Sequence, residues 1–348
     1  MSPFPLNVHI DHELQSLREY LNGFPEQKEF IILADNNTLH YCMRHLKENF
    51  GESNESRIIT ITPGEKNKNF EQLQYILAQL AEYEANRNTL LINLGGGVVC
   101  DIGGFAASIY KRGIQYIHVP TSLLAMVDAS IGGKNGIDFM GLKNLIGSIT
   151  LPEKVFISKK FIDTLPPVEK NEGVIEALKH GLIADKSYWD RIKKDPLEKM
   201  DDLIETSVRI KTNIVSSDLN DKGDRKKLNA GHTVGHAIEG WKLDEDEVVM
   251  HGEAVAAGLI IENYISNKLG YLSSTEQEEI EGVLFKQVDK VKLKKYDSDD
   301  FLRRMRQDKK NENQKISFSL VRGIGNASID DHCDDDLIIE AIQYYIKK

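Results

Sequence analysis

Short strand-like runs alternate with helical stretches through about residue 155, and this alternation constrains the fold more than any other feature of the chain. The runs lie at 29–34, 57–62, 89–94 and 115–119, and helical periodicity fills 38–49, 69–84 and 101–110 between them. Strands that alternate with helices in this way form βαβ units around a mostly parallel sheet. The sequence therefore predicts an N-terminal α/β domain with a Rossmann-like sheet.

Helices dominate the sequence beyond Pro166 and Pro167. Helical segments are predicted at 170–184, 187–194, 197–218, 231–242, 252–269, 275–286 and 335–347, with one late strand at 316–320. A chain of 348 residues also exceeds the size at which a single hydrophobic core usually keeps growing. We therefore predict two domains, an α/β domain at 1–165 and a mainly α-helical domain at 166–348.

The composition excludes several classes of partner. A net charge of −10 and a pI near 5.6 disfavour binding to nucleic acid and to anionic membranes. No apolar run is long enough to span a bilayer, and Met1–Pro5 does not resemble the start of a signal peptide. The cysteines, Cys42, Cys100 and Cys333, are too few and too scattered for a disulfide framework. We therefore expect a cytoplasmic protein that binds neither nucleic acid nor membrane.

Three histidines, His232, His236 and His251, lie within twenty residues in a chain that has only ten. Neutral imidazole is a common ligand of zinc-like ions. His232 and His236 would share one face of a helix, because residues four apart are neighbours there. The glutamate that follows the first histidine in zinc proteases is absent. The cluster predicts a divalent-metal site, with core or capping histidines as the alternative.

Glu176 is the candidate carboxylate of this metal site. It lies three residues before Lys179 in a helical stretch and is flanked by apolar residues. The two could form an ordinary surface ion pair. A carboxylate on a mostly buried helix instead requires a cation. A metal held by Glu176, His232 and His251 would supply one, and it would leave a coordination position open for substrate.

A second site is indicated where the run 89–94 meets Gly95-Gly96-Gly97. Consecutive glycines between a strand and a helix can present backbone N–H groups to a phosphate. The order is not the Gly-x-Gly-x-x-Gly fingerprint, and the glycines could instead serve only a tight turn. Asp35, after the first predicted strand, suits either a ribose hydroxyl or the N-cap of a helix starting near Asn37. Together these features favour a nucleotide pyrophosphate.

A series of motifs is more specific than any of these features alone. The motifs are Pro63-Gly64-Glu65-x-x-Lys68, Gly95-Gly96-Gly97-Val98-Val99-x-Asp101-x-Gly103-Gly104-Phe105, Tyr110-x-Arg112-Gly113, Val119-Pro120-Thr121-Ser122-Leu123-Leu124-Ala125-Met126-Val127-Asp128-x-Ser130-x-Gly132-Gly133-Lys134, Lys143-Asn144-Leu145-Ile146-Gly147, Glu176-x-x-Lys179-x-Gly181, Leu228-Asn229-x-Gly231-His232-Thr233-x-Gly235-His236-Ala237-Ile238-Glu239, His251-Gly252-Glu253 and Asp308-Lys309-Lys310. Through these motifs, in this order and spacing, the chain resembles the 3-dehydroquinate synthase family over nearly its whole length. That family comprises sugar-phosphate cyclases of the shikimate pathway.

The resemblance implies the reaction of the family, in which 3-deoxy-D-arabino-heptulosonate 7-phosphate becomes 3-dehydroquinate and phosphate. NAD oxidises the C5 hydroxyl, phosphate is eliminated, the ketone is reduced again, the ring opens and an intramolecular aldol addition closes the carbocycle. A ketone beside C6 acidifies that C–H bond. A divalent metal, Zn or Co, that polarises the ketone oxygen assists both the oxidation and the later steps.

The resemblance also assigns roles to residues, position by position. It implies that the metal ligands are Glu176, His232 and His251, and that His236 is a substrate contact or proton relay. Cofactor contacts are implied for Asp35, Asn37, Glu65, Lys68, Gly96, Gly97, Val98, Asp101, Thr121, Ser122, Asp128, Lys134, Lys143, Phe161, Thr164 and Leu165. Catalytic and substrate contacts are implied for Lys134, Asn144, Lys179, Lys211, Arg225, Asn229, His236 and Lys309 or Lys310, with Arg112 reaching across from the second subunit of a homodimer.

The chain departs from the usual residues of the family at Ser122, Asn135, Ile175 and Ala230, and none of these changes removes a charge that the mechanism needs. One alternative is another sugar-phosphate cyclase, or an iron-type polyol or glycerol-phosphate dehydrogenase of the same superfold. Such dehydrogenases normally carry Asp at the position of Glu176, and other cyclases tend to alter the residues that bind the carboxylate. A further alternative is an inactive NAD-binding or regulatory protein, which would be expected to lose at least one ligand or cation.

Overall fold

A computed structural model describes residues 4–25, 28–48, 57–140, 142–245, 247–293, 296–307 and 315–348 of the chain. Contacts between Cα atoms divide the chain into two compact units. The first unit comprises Met1–Gly173 and Lys211–Leu219, and the second comprises Val174–Ile210 and Asn220–Lys348.

The first unit is built around a parallel sheet. Its strands are β1 (Val8–Ile10), β2 (Phe30–Asp35), β3 (Arg57–Ile61), β4 (Leu90–Gly95), β5 (Gln115–Pro120), β6 (Lys134–Phe139), β7 (Leu142–Ile149) and β8 (Lys154–Ile157). Six of them form the sheet in the order β1-β8-β5-β4-β2-β3, and β6 and β7 form a separate antiparallel hairpin. Because parallel strands end at the same edge, Asp35, Gly95 and Pro120 share one edge of the sheet.

Helices cover this sheet. They are α1 (Gln15–Asn22), α2 (Asn36–Tyr41), α3 (Met43–Lys47), α4 (Phe70–Glu82) and α5 (Gly97–Ile109). Every residue of β4 is buried, as expected for a continuous apolar run in a sheet covered on both faces. Helix α5 packs against β4, β5 and β6, and its Ile102 and Phe105 join Ile31 and Leu91 of the sheet in one core. The start of α5 is therefore held firmly at the edge where β4 ends.

The second unit is mainly helical. Its helices are α6 (Pro167–Ala184), which starts in the first unit, α7 (Lys186–Ile192), α8 (Met200–Ser217), which ends in the first unit, α9 (His232–Asp244), α10 (His251–Lys268), α11 (Ser274–Gln287), α12 (Ser298–Gln307) and α13 (Asp335–Lys347). Helix α10 packs against α9, α11 and α13. It is buried on almost every side, which explains why its sequence is apolar around most of its circumference.

Glycine allows α9 and α10 to approach each other closely. A Cβ at Gly258 would lie 1.9 Å from the backbone oxygen of Gly231, which no neighbouring side chain could relieve by moving. Gly231 itself has a φ of +79°, a conformation that L side chains rarely adopt. These two glycines therefore determine how the first turn of α9 lies on α10.

The predicted fold class is confirmed, with a Rossmann-like parallel sheet followed by helices. The strand predicted at 316–320 is wrong, because the described residues there form only isolated bridges, Phe318 with Asp331 and Val321 with Ala327. The chain turns back at Gly323 and Gly325, both with positive φ, before a strand can extend. The helix predicted at 38–49 is divided into α2 and α3. Among the described residues, no helix combines the length and apolarity needed to cross a bilayer.

Candidate active site

Glu176 on α6 is a fully buried carboxylate in the second unit, with no exposed side-chain surface. Lys179, almost one turn further along α6, is 1% exposed and forms an ion pair with Oε2 of Glu176. The surrounding residues Val174, Ile175 and Leu178 are also buried. Glu176 and Lys179 therefore form a buried pair and not a surface pair, so their charges must be compensated inside the protein.

Two histidines face the other oxygen of Glu176. His232 begins α9 and His251 begins α10. Their Nε2 atoms lie 3.7 Å and 3.8 Å from Oε1 of Glu176. The three ligand atoms all lie within 4.8 Å of one another. Ligand atoms bound tetrahedrally to one zinc ion stand roughly 3.4 Å apart, given bonds of about 2.0–2.2 Å. The observed spacing thus suits a single divalent ion.

The second nitrogen of each imidazole faces an acceptor. His251 Nδ1 is 3.1 Å from Oε1 of Glu239, and His232 Nδ1 is 3.2 Å from the backbone oxygen of Ala230. An acceptor at Nδ1 holds the proton there and leaves the Nε2 lone pair for a metal. Oε1 of Glu176 accepts no hydrogen bond from any residue that the structure describes. Two imidazoles in their neutral form, with a carboxylate oxygen that accepts no hydrogen bond from the described residues, would fit a divalent cation.

His236 lies one turn beyond His232 on α9. Its ring centroid is 5.3 Å from that of His232 and 6.5 Å from that of His251. Among the described residues, the groups that could hold a metal do not include His236. Helical spacing alone favoured His236 as a ligand. Its role as a substrate contact or proton relay stays a prediction.

In the first unit, the turn from β4 to α5 consists of small residues. Gly96 is the N-cap of α5 and has no side chain with which to bond the first-turn N–H groups. A Cβ on Gly96 would lie 3.2 Å from the hydroxyl of Ser122. The backbone N–H of Thr121 donates to the backbone oxygen of Gly95 at 3.0 Å, which joins the ends of β4 and β5. Such a glycine-lined helix N-terminus can accept a pyrophosphate.

Asp35 caps α2. Its Oδ1 accepts a hydrogen bond from the backbone N–H of Thr38 at 2.8 Å, and the Thr38 hydroxyl accepts one from the Asp35 N–H at 3.0 Å. The capping interpretation of Asp35 is therefore confirmed. It is compatible with the predicted ribose contact, because a carboxylate has a second oxygen. Asn37, in the first turn of α2, is exposed.

Lys68 lies inside an acidic cluster. Its Nζ is 2.7 Å from Oε1 of Glu65, 3.2 Å from Oδ2 of Asp101 and 3.8 Å from Oδ1 of Asp138. Burial lowers the pKa of Lys68, but the three carboxylates outweigh burial and raise it overall. Burial raises the pKa of Asp101 to about 6 against the opposing charge of Lys68. Lys143 Nζ is 3.9 Å from Oε1 of Glu65. Four predicted cofactor residues are thus brought together.

The other predicted cofactor residues of the first unit differ in exposure. Asp128 lies in a π-helical turn, where its Oδ1 and backbone oxygen accept hydrogen bonds from Lys211 Nζ at 2.5 Å and 2.7 Å. The ring of Phe161 is buried against His45, and Thr164 is exposed. The set also includes Gly97, Val98 and Leu165, which are partly exposed, and Lys134, which is exposed.

Two predicted substrate residues lie on the β6–β7 hairpin. Lys134 begins β6, and Asn144 lies in β7 with a φ of +51°. The Asn144 N–H donates to Oδ1 of Asp138 at 2.8 Å, which stabilises this unusual backbone conformation. Neither strand of the hairpin was predicted. Their polar and glycine residues give no clear alternation of apolar and polar positions.

The remaining predicted substrate residues are spread over both units. Arg225 and Asn229 belong to a short 3₁₀ helix, Asp224–Asn229, that precedes α9, and Arg225 is 2% exposed. Arg112 is exposed in the turn after α5, with a φ of +66°. Lys309 and Lys310 lie outside the described residues.

Sequence reasoning gave no role to three acidic residues. Glu239 ends the motif that contains His232 and His236, and its spacing of seven residues from His232, two helical turns, places both on one face of α9. Glu262 is an isolated acid in an otherwise apolar stretch of α10, which is also a signal of a buried partner. Asp138, which holds Asn144 and faces Lys68, carries no comparable signal.

Known proteins match the chain across both units. Residues 58–172 match the family described as 3-dehydroquinate synthase N-terminal, and residues 173–311 match 3-dehydroquinate synthase C-terminal. A 3-dehydroquinate synthase of Helicobacter pylori (strain P12) is 39% identical over 337 residues, which cover 94% of this chain and 96% of that protein.

Two solved structures share the fold over nearly the whole chain. A 2-deoxy-scyllo-inosose synthase complexed with carbaglucose-6-phosphate, NAD+ and Co2+ has a TM-score of 0.84 and 25% identity, covering 97% of this chain and 96% of the other. A 2-epi-5-epi-valiolone synthase from Streptomyces hygroscopicus subsp. jinggangensis 5008, with NAD+ and Zn2+ bound, has a TM-score of 0.88 and 22% identity, covering 98% and 96%. The family matches and the relative confirm the resemblance found in the motifs. The chain belongs to the 3-dehydroquinate synthase family.

Proposed function

We propose that this protein converts 3-deoxy-D-arabino-heptulosonate 7-phosphate to 3-dehydroquinate and phosphate, with NAD and one divalent metal bound. One observation carries the proposal. In a chain of this family, two imidazole Nε2 atoms lie 3.7 Å and 3.8 Å from one oxygen of the buried Glu176. The solved cyclases that share the fold contain NAD+ with Co2+ or Zn2+.

Glu176, His232 and His251 would hold the metal. When bound, it would polarise the substrate oxygen on the carbon next to the acidic C–H bond. The residues of this chain keep that site rigid, because Lys179 holds Glu176 and Glu239 holds His251. Three protein ligands leave a position for a substrate oxygen. His236, beside the ligands on α9, would contact the substrate or carry a proton.

The first unit would bind NAD. The backbone from Gly96 to Val98 would contact the pyrophosphate, and Asp35 with Asn37 would contact the adenosine ribose. NAD would accept a hydride and return it within one turnover. Lys68 and its carboxylates support this assignment, since their ion pairs fix the loop after β3, helix α5 and the hairpin to one another. We accordingly assign NAD binding to 1–165 and metal and substrate binding to 166–348.

Three buried basic side chains are assigned to the anionic substrate. Lys179, Lys211 and Arg225 are 1%, 6% and 2% exposed. Lys179 and Lys211 are paired with Glu176 and Asp128, so their assignment to the phosphate and the carboxylate of the substrate is supported by the family motifs and by the strength of charge-assisted hydrogen bonds. Lys134, Asn144, Asn229 and Lys309 or Lys310 would complete the set. Arg112 would reach the substrate of the second subunit in a cytoplasmic homodimer.

The test uses purified protein with NAD, a divalent metal and the heptulosonate phosphate. Inorganic phosphate should appear in proportion to substrate loss, and absorbance at the NADH band should not rise, because in the proposed reaction the hydride would return to the substrate before product leaves. NADH that accumulates mole for mole with substrate loss would instead favour a dehydrogenase of the same superfold. Arg225→Gln should lower kcat/KM. Arg191→Gln, which changes an arginine of the same unit paired at the surface with Asp202, should leave it unchanged.

A further inference from the structure

The N-terminus of α9, where His232 lies, is capped by a side chain from another helix. The N-cap residue of α9 is Gly231, which has no side chain. Glu262 of α10 takes over the capping role. The Gly231 N–H donates to Oε2 of Glu262 at 2.5 Å, and the Val234 N–H donates to Oε1 at 3.3 Å. One carboxylate therefore holds backbone groups on both sides of His232.

Glu262 is an acidic side chain in an apolar part of α10. Its side chain is 2% exposed and follows the buried run Leu259–Ile261. A buried carboxylate is costly unless donors or positive charge compensate it. The two N–H groups and the positive end of the α9 dipole provide that compensation. The approach is close enough only because Gly231 and Gly258 have no side chains.

The same helix carries the other imidazole of the cluster. His251 is the first residue of α10, and Glu262 lies eleven residues later, three helical turns along the same face. Glu262 thus joins the first turn of α9 to the helix that begins with His251. The distances from Nε2 of His232 and Nε2 of His251 to Oε1 of Glu176 therefore depend on how α9 packs on α10.

We propose that Glu262 is a positioning residue that aims His232 at the metal. This inference rests on the proposed function, since it concerns the metal site of the synthase. Glu262 holds the Gly231 and Val234 amides, and these fix the backbone from which His232 extends. His232 Nδ1 faces the oxygen of Ala230 in the same segment, so a shift of that segment would turn the imidazole away from Glu176.

The experiment measures metal affinity without substrate. Glu262→Gln keeps the size of the side chain but replaces one acceptor oxygen by an NH2 group that faces a backbone N–H. The Zn2+ affinity of chelator-stripped protein, measured by competition with a chromogenic chelator, should fall about 10- to 100-fold, as is typical when groups that orient metal ligands are changed. The visible spectrum of the Co2+-loaded variant should also shift. Glu262→Asp, which keeps the charge, should recover part of the affinity.

Glu276 offers a matched control. It also accepts hydrogen bonds from two backbone N–H groups, those of Ser273 at 3.0 Å and Ile324 at 3.3 Å, but at the start of α11. Glu276→Gln should leave Zn2+ affinity unchanged. The proposal would be overturned if Glu262→Gln bound Zn2+ as tightly as the wild type while its thermal unfolding midpoint fell equally in the metal-free and the Zn2+-loaded protein. Phosphate release is measured separately, so a wild type that binds Zn2+ but releases no phosphate contradicts only the proposed reaction.

Discussion

The buried pair of Glu176 and Lys179 allows a quantitative prediction about the metal-free protein. Glu176 has no exposed surface and Lys179 is 1% exposed, so neither charge can be stabilised by water. Removing one partner of a buried pair typically costs about 3–5 kcal/mol, because the other charge stays buried alone. In the metal-free protein, Glu176→Gln and Lys179→Met should each lower the free energy of unfolding of the second unit by about 3–5 kcal/mol.

The double variant Glu176→Gln/Lys179→Met leaves no uncompensated charge. It should be more stable than the sum of the single changes predicts, with a coupling free energy of about 2–3 kcal/mol. Zn2+ should reduce the cost of Lys179→Met, because the metal provides a second cation for Glu176. It should not rescue Glu176→Gln, which has lost a ligand.

Urea unfolding followed by tryptophan fluorescence suits this test, since both tryptophans of the chain, Trp189 and Trp241, are buried in the second unit. Lys186 and Asp190 provide a control pair in the same unit, with Nζ and Oδ2 2.6 Å apart and side chains that are 61% and 40% exposed. Their coupling should stay below about 0.5 kcal/mol. A coupling free energy between Glu176→Gln and Lys179→Met as small as that of the control pair would refute the reasoning.

Three further predictions concern the metal and the histidines. A chelator should abolish turnover, and added Zn2+ or Co2+ should restore it. His251→Ala should lose both metal and activity, whereas His236→Ala should keep most of its metal and lose activity. Equal metal loss in the two variants, measured by atomic absorption, would show that His236 is a ligand. Burial lowers the pKa of His118 to about 3 from its ordinary value of 6.5. Between these two pH values the imidazole binds a proton in the unfolded chain but not in the folded chain. The free energy of unfolding therefore decreases as the pH falls through this window. His118→Gln should therefore lose less free energy of unfolding than the wild type between pH 7 and pH 5, by up to about 1.4 kcal/mol per pH unit. Urea unfolding followed by circular dichroism measures this difference. An equal loss in the variant and the wild type would contradict the prediction.

Much of this protein could be predicted from its sequence, because the deciding patterns are local. Alternating strand-like and helical runs predicted the parallel sheet, and the ordered motifs identified the family. Glycines after an apolar run predicted the β4–α5 turn, since both the strand and the turn depend on neighbouring residues. The hairpin that carries Lys134 and Asn144 escaped prediction, because its strands pair mainly with each other and bury no continuous apolar face.

Without the family resemblance, only the tertiary structure decides which side chains meet. Helical spacing pairs His232 with His236. The packing of α9 against α10 instead brings His251, which lies nineteen residues after His232 in the sequence, to the Glu176 oxygen that His232 also faces. The contacts of Glu239 with His251 and of Glu262 with Gly231 depend on the same crossing. A periodic sequence shows which face of a helix is buried, but it does not specify the partner helix or the register. Those depend on packing between distant segments, here on the space left by Gly231 and Gly258.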